Sequence, residues 1–341
     1  LLVMEPEQRL SEVVALGPSS VRKLLDELPV SLREAEPELV AQLEGAHFGR
    51  LLCFAEANGL APVDDTEVFR AILEQVKEGA SEFPQAAADR YVYLFVPGLV
   101  TEHQPGYFSG NLAFMESRGL DARLSTIDTD AGICTNASYI RQELAALDAE
   151  TGRPIIVVAH SKGVPDAARA LQDESTERLV AALLPMQGVV GGTPLADAVM
   201  EKVGTIVQWI LDDLLGAEDG RGLSDLTFSR SYEIFGPGQR QLELPVFAFV
   251  SSDHERVGGN MLLLGSSGMR DQYGVLSDGL VPVDSQKMHG RNARFACVDD
   301  MNHADTVHRL PLDFGSADTS PGQITEAHLT WALRSLAADE A

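Results

Sequence analysis

Ile155-Ile156-Val157-Val158-Ala159-His160-Ser161-Lys162-Gly163 is the stretch on which the reading of this chain turns. A short β-branched run of this kind reads as a buried parallel strand, and Ala167-Ala168-Arg169-Ala170-Leu171 just beyond it reads as a helix. Between them lies a small-x-Ser-x-Gly turn. Strand, sharp turn, Ser and helix together form the context in which such a pentapeptide is a nucleophile elbow. The turn forces its central residue into a strained conformation, so the residues two before and two after must be small. Here they are Ala159 and Gly163. The strain lifts the Ser161 hydroxyl above the sheet edge and leaves the Lys162 N–H at a helix N-terminus, where it can stabilise an oxyanion. The blander reading is a buried Ser in an ordinary strand–helix turn, so the case rests on what else the chain supplies.

A hydroxyl becomes a useful nucleophile when a base takes its proton, and the base needs a carboxylate to fix its tautomer. Of the eight His, only His254, His289, His303, His308 and His328 lie downstream of Ser161. His303 is selected because Met301-Asn302-His303-Ala304-Asp305 closely follows the strand-like Arg294-Phe295-Ala296-Cys297-Val298. His308 and His328 fall in helically periodic segments and read as surface residues, whereas His254 and His289 sit in polar loops. For the acid, Ser277-Asp278-Gly279-Leu280-Val281 and Asp284 compete; Asp278 is favoured, since Asp284 looks like a helix N-cap. The second oxyanion donor is expected after the strand-like Tyr91–Val96, where Pro97-Gly98-Leu99 offers the Leu99 N–H.

These residues resemble bacterial lipases and esterases of the α/β-hydrolase superfamily over about residues 90–310. Val96-Pro97-Gly98-Leu99 is similar to a His-Gly-Leu oxyanion loop with Pro97 in the His place. Gln187 through Asp197 resembles the Gly-Thr-Pro segment leading to a lid, and Asp225-Leu226-Thr227 resembles a later triplet. Ser277-Asp278-Gly279-Leu280-Val281 and Met301-Asn302-His303-Ala304-Asp305 resemble the segments that carry the catalytic Asp and His. The resemblance implies a Ser161–His303–Asp278 triad that cleaves carboxylic esters through an acyl-enzyme, with no cofactor needed for the chemistry. It also implies a structural calcium held by Asp305 and, by position, Asp253, against the alternative that these are solvated or capping residues; calcium requires six or more oxygens. A cysteine common after the catalytic Asp of secreted members is replaced by Asp284, and Lys162 is unusual beside the nucleophile.

Composition narrows the partners. Acidic residues outnumber basic ones 51 to 26, giving a net charge of −25, which disfavours nucleic acid and anionic membrane surfaces. Cys53, Cys134 and Cys297 are widely spaced and form no metal pattern; Cys53 and Cys297 read as core residues and Cys134 as structural. Asn136 fits a glycosylation sequon but reads as a helix N-cap. No transmembrane run and no signal peptide is visible.

Residues 1–88 are expected to be a helical extension without strand character, with helices over 20–28, 36–57 and 66–78. From residue 89 to 341, strands near 91–96, 122–127, 154–159, 180–187, 244–251 and 293–298 alternate with helices near 109–118, 136–150, 163–173 and 323–337. That alternation predicts an α/β fold with a mostly parallel sheet covered on both faces. A lid-like insertion is expected over about 194–240, where a helix from Leu195 to Leu215 carries two apolar rows, and Met261–Leu264 offers a second apolar wall. The same stripes would suit a helix buried against the N-terminal extension. The lid reading favours medium- to long-chain acyl esters and contact with a lipid interface. A polyester depolymerase with the same triad, and a non-catalytic binding protein, are the alternatives.

Overall fold

The computed structural model describes residues 50–99, 101, 106–200, 221–253, 269, 275–307 and 319–339. In chain order these form α1 (Arg50–Ala57), β1 (Val63–Asp64), α2 (Thr66–Lys77), β2 (Val92–Val96), α3 (Ser109–Ser117), β3 (Ala122–Leu124), α4 (Ile133–Thr151) and β4 (Ile155–His160). They continue with α5 (Gly163–Leu171), β5 (Val180–Met186), α6 (Pro194–Met200), α7 (Phe228–Phe235), β6 (Val246–Ser251), β7 (Ala293–Val298) and α8 (Pro321–Asp339), with single helical turns between some of them.

The strands form one seven-stranded sheet in the order β1-β7-β6-β5-β4-β2-β3, parallel throughout. Parallel neighbours need crossover helices, and these cover both faces. Successive strand residues point to opposite sides, so each central strand feeds two cores. Val92, Leu94, Val96, Ile155, Val157 and Ala159 face one core with Ile140 and Leu144 of α4 and Ala167 and Leu171 of α5. Tyr93, Phe95, Ile156, Val158, Phe247 and Phe249 face the other, with Phe69 of α2 and Trp331 of α8. Burial on both faces is why these strands read as continuous apolar runs rather than alternating ones.

The alternating strands and helices expected from residue 89 onward are present, with boundaries shifted by a few residues. Segment 66–78 is the helix α2, but the region before residue 89 is not wholly helical. β1 pairs in parallel with β7 through Val63 and Asp64, and the Asp65 N–H continues the ladder to the Phe295 carbonyl at 2.8 Å. Both β1 residues are exposed, and two residues are too few to show an alternation. Of the expected lid helix, α6 covers Pro194–Met200; its continuation to residue 215, the 261–264 wall and the helix over 20–28 lie outside the described residues, as does residue 36–49 of the segment 36–57. Among the described residues no helix is long and apolar enough to cross a membrane.

Asp65 ties this edge to the body. Its carboxylate accepts from Arg294 Nε and Nη2 at 2.5 and 2.9 Å and from the Trp331 indole N–H at 3.0 Å. Trp331 also meets Phe247 and Phe69 edge-on, with ring centroids 5.2 and 5.6 Å apart. Trp331→Ala removes a fully buried ring and should cost about 3–5 kcal/mol of stability. Tyr139→Ala, at an exposed site on α4, should change stability by no more than about 0.5 kcal/mol. Urea unfolding of the two variants checks the contrast.

Candidate active site

The carboxyl ends of β2 and β4 are the place where ligands collect in an open α/β sheet. The chain leaves β2 toward the β3 edge and leaves β4 toward β5, so a crevice opens between them. Ser161 stands in that crevice, between the last residue of β4 and the first of α5, with φ of 55°. A left-handed backbone is costly for a residue with a Cβ, so the neighbours must hold it there. The Ser161 N–H donates to the Met186 carbonyl at 3.1 Å, and the Ser161 carbonyl accepts from Val164 and Val189 N–H at 3.1 and 3.3 Å. A Cβ on Gly163 would come within 2.4 and 2.5 Å of the Pro97 and Val96 carbonyl oxygens. The demand for a small residue two places after Ser161 thus comes from the end of β2, which lies directly against the turn.

Two distant loops reach the same point. His303 Nε2 lies 2.8 Å from Ser161 Oγ, and His303 Nδ1 lies 2.7 Å from Asp278 Oδ2. Asp278 is fully buried, and its Oδ1 accepts from the Leu280 and Val281 N–H groups at 3.0 and 2.8 Å. The Asp278 carbonyl accepts the His303 N–H at 2.9 Å, so backbone and side chain fix the pair together. Asp284, the other acid weighed, is exposed and paired with Lys287 at 2.8 Å; it sits in the first turn of the helical turn Val283–Gln286, whose N-cap is Pro282, not Asp284.

The remaining His residues divide clearly. His328 is buried, not superficial: its Nε2–H donates to the Phe247 carbonyl at 2.7 Å, and burial pushes its pKa down to about 4. Its neighbours in α8 face the core, which helical periodicity alone did not resolve. His289 is also buried, donating to the Phe235 carbonyl at 3.2 Å. His254 and His308 lie outside the described residues.

Leu99 and Lys162, the residues whose N–H groups were expected to bind an oxyanion, flank Ser161 from β2 and from α5. A Cβ on Gly98, the residue before Leu99, would sit 2.8 Å from Ser161 Cβ. The Lys162 side chain turns away into the protein. It is wholly buried, with Nζ 2.9 and 3.1 Å from the Asp166 carboxylate oxygens. Asn136 Nδ2 donates to the same carboxylate at 2.9 Å. Asn136 therefore is not an N-cap: Gly132 takes that place, and Asn136 lies buried one turn in, bound to α5. Cys134, next to it, is exposed, and Cys297 is half-buried; the side chain of Cys53 lies outside the described residues.

Three polar residues beside the hydrogen-bonded Ser161, His303 and Asp278 had no role in the sequence reading: Tyr107, His160 and Gln187. His160 is buried, and its ring centroid lies 4.9 Å from that of His303. Burial first, and the neighbouring His303 second, hold its pKa well below the usual histidine range. Gln187, also buried, adopts a left-handed φ of 50°. Nothing in periodicity marks these side chains, since they lie 27 to 80 residues apart. The available signal was that a polar pair, His160 and Gln187, ends two strands otherwise built of apolar residues.

Asp253 and Asp305, the calcium ligands implied by the resemblance, are both buried. Asp305 Oδ2 accepts the Asn302 N–H at 2.9 Å, the capping arrangement weighed against metal binding. Among the described residues no group of three or more His, Cys, Asp or Glu gathers to hold a metal ion.

The buried Lys162–Asp166 pair yields a test. Burial raises the Asp166 carboxyl to about 6, against the opposing pull of the Lys162 ammonium. Removing the cation alone strands a buried carboxylate, so Lys162→Met should lose about 3–5 kcal/mol at neutral pH. The folded variant binds a proton at Asp166 more tightly than the unfolded chain does. With the lowering pull of Lys162 gone, that carboxyl titrates above the wild-type value of about 6, so the deficit should shrink as the pH falls toward about 6 and level off below it. Unfolding curves at a series of pH values check the sign.

No protein-family model matches the chain, and no curated protein matches its sequence. Solved structures do. The metagenomic carboxyl esterase MGS0156 superimposes with a TM-score of 0.63 at 17% identity, over 82% of this chain and 93% of its own. Bacillus licheniformis lipase BlEst2 in its mature form gives 0.53 at 19%, over 72% and 90%. Phospholipase PlaB from Legionella pneumophila gives 0.50 at 16%, over 72% and 59%. At these identities the likeness speaks for architecture. Together with the all-parallel sheet and the strained turn after β4, it establishes that this chain has the α/β-hydrolase fold.

Proposed function

We propose that the protein is a serine carboxylic-ester hydrolase of lipase or carboxylesterase type. The observation that carries the reading is the unbroken hydrogen-bonded line from Ser161 Oγ through His303 to Asp278. In the proposed cycle, His303 Nε2 takes the Ser161 proton as Oγ attacks the ester carbonyl carbon. Asp278 holds the ring by Nδ1–H and stabilises the imidazolium that forms. The Leu99 and Lys162 N–H groups receive the oxyanion, aided by the N-terminus of α5. The intermediate collapses, the alcohol departs with the proton from His303, and Ser161 remains acylated. Water then adds to the acyl carbon, giving a proton to His303, and the carboxylic acid leaves as that proton returns to Ser161.

For substrate class, the two apolar rows in the sequence between residues 199 and 215 favour medium- to long-chain acyl groups. The structural neighbours, a carboxyl esterase, a lipase and a phospholipase, agree with ester chemistry in general. The geometry gives no separate support to a polyester substrate or to a purely binding role.

A fluorophosphonate should label the protein once, on Ser161, and Ser161→Ala should lose both the label and p-nitrophenyl ester hydrolysis by about 10⁶-fold in kcat. Retained turnover in that variant overturns the reading. Among p-nitrophenyl esters, rates should rise from acetate to octanoate; a steady fall from acetate assigns a small-ester esterase instead.

A further inference from the structure

Beneath the triad, the polarity of a chain of buried hydrogen bonds is fixed from end to end. The Asn302 carbonyl can only accept, so the Gln187 atom 2.8 Å from it is Nε2, and Oε1 faces the other way. Gln187 Oε1 accepts from the Thr306 hydroxyl at 2.6 Å and lies 3.1 Å from His160 Nε2, which also lies 3.0 Å from the His303 carbonyl. Two acceptors facing one ring nitrogen require it to carry the proton. His160 is neutral, so its Nδ1 is an acceptor, and the Tyr107 hydroxyl 2.5 Å away must donate to it. The Tyr107 oxygen is then left to accept the Gly98 N–H, 3.1 Å distant.

One hydroxyl therefore touches both halves of the site. Through Gly98 it holds the loop that carries the Leu99 N–H. Through His160 it holds the main-chain carbonyl of His303. Resting on the ester-hydrolase reading above, we propose that Tyr107 is a positioning residue that sets the oxyanion loop and the catalytic base in register, with His160 as its intermediary. Neither side chain takes part in bond making. The register matters because both groups must meet one tetrahedral centre at once, and a displacement of about 1 Å can cost about a hundredfold in rate. The backbone around the relay is itself held out of its ordinary range: Phe108, Ser161 and Gln187, with φ of 60°, 55° and 50°, all border His160.

Tyr107→Phe keeps the ring against Phe108 and His160 and removes only the oxygen. Its kcat, counted per fluorophosphonate-titrated site so that misfolded protein does not enter, should fall roughly tenfold to a hundredfold. KM should stay within about threefold, because ground-state contacts are untouched. His160→Asn, whose shorter side chain can meet Tyr107 but not the His303 carbonyl, should lose less than Tyr107→Phe. The double variant should lose less than the product of the two single losses, since both act on one relay. A Tyr107→Phe enzyme within about threefold of wild type per site, or losses that multiply, overturns the proposal. Long-range ¹⁵N–¹H correlation spectra of the wild type give a readout independent of turnover. The histidine signal that disappears in His160→Asn should show the Nε2–H tautomer, unchanged across neutral pH, and an Nδ1–H tautomer overturns the relay whatever the variants do. Wild-type protein that neither turns over esters nor takes the label defeats the ester-hydrolase reading instead, a result plainly distinct from an active enzyme indifferent to Tyr107→Phe.

Discussion

The site depends on a steric interlock between the end of β2 and the turn that follows β4. These strands are neighbours, paired from Val92–Ile155 through Val96–Ala159, so their carboxyl ends emerge side by side. The β4 turn must reverse direction at once to start α5, and it does so over the Val96 and Pro97 carbonyls. Only a residue without a Cβ fits at position 163, where any side chain would meet those oxygens at 2.4–2.5 Å. The reverse holds at Gly98, which has no room between Tyr107 and Ser161. The two glycines let the end of β2 and the turn after β4 approach closely, with Gly98 against Ser161 and Gly163 against Val96 and Pro97. Position, here, is a consequence of what is missing from the side chains.

Such closeness leaves polar atoms with no water to turn to, and a buried group without a partner costs about 1–3 kcal/mol. The protein meets this with a connected set rather than isolated pairs. Gln187 uses its amide fully, donating to Ser251 Oγ and the Asn302 carbonyl and accepting from Thr306 and His160. Asn111 donates to the Thr306 carbonyl and to Thr325 Oγ1, tying α3 and α8 to the same loop. The loop bearing His303 thus has its main chain gripped by β5, α3 and β4 through side chains. Apart from Asn111 Oδ1, which is buried without a partner, the network is well connected, and such networks rigidify what they surround, which suits the base of the proposed reaction.

Much of this was legible in the chain, for reasons that differ by residue. The central strands declare themselves because sheets covered on both faces need runs such as Ile155-Ile156-Val157-Val158, and Ser161 declares itself because a strained turn admits only small neighbours. His303 could be chosen by order along the chain and by the strand before it, and Asp278 by the Gly and apolar pair that follow it. β1 could not, since two exposed residues have no pattern. Nor could the burial of Asn136 and His328, because capping preference and helical period are local properties, whereas their partners Asp166 and Phe247 come from other elements. The relay through Tyr107 and His160 joins residues 53 apart by a contact that no periodicity encodes.

Lys162 shows how a charge can stand beside a reactive centre without acting on it. The sequence places a cation next to Ser161 in a chain with 51 acidic and 26 basic residues, an arrangement that suits either pairing with a nearby carboxylate or selecting a particular substrate, and the fold takes the first course. Nζ is wholly buried and bound to both oxygens of Asp166, one turn along the same helix. A cation and an anion about 3 Å apart present only a small dipole to the crevice. The proposed stabilisation of an oxyanion then falls to backbone N–H groups and to the amino end of α5, which are fixed in direction and need no reorganisation as charge develops. The pair does a different job. It joins the start of α5 to Asn136 of α4, so the helix that follows Ser161 is fixed against its neighbour at its amino end.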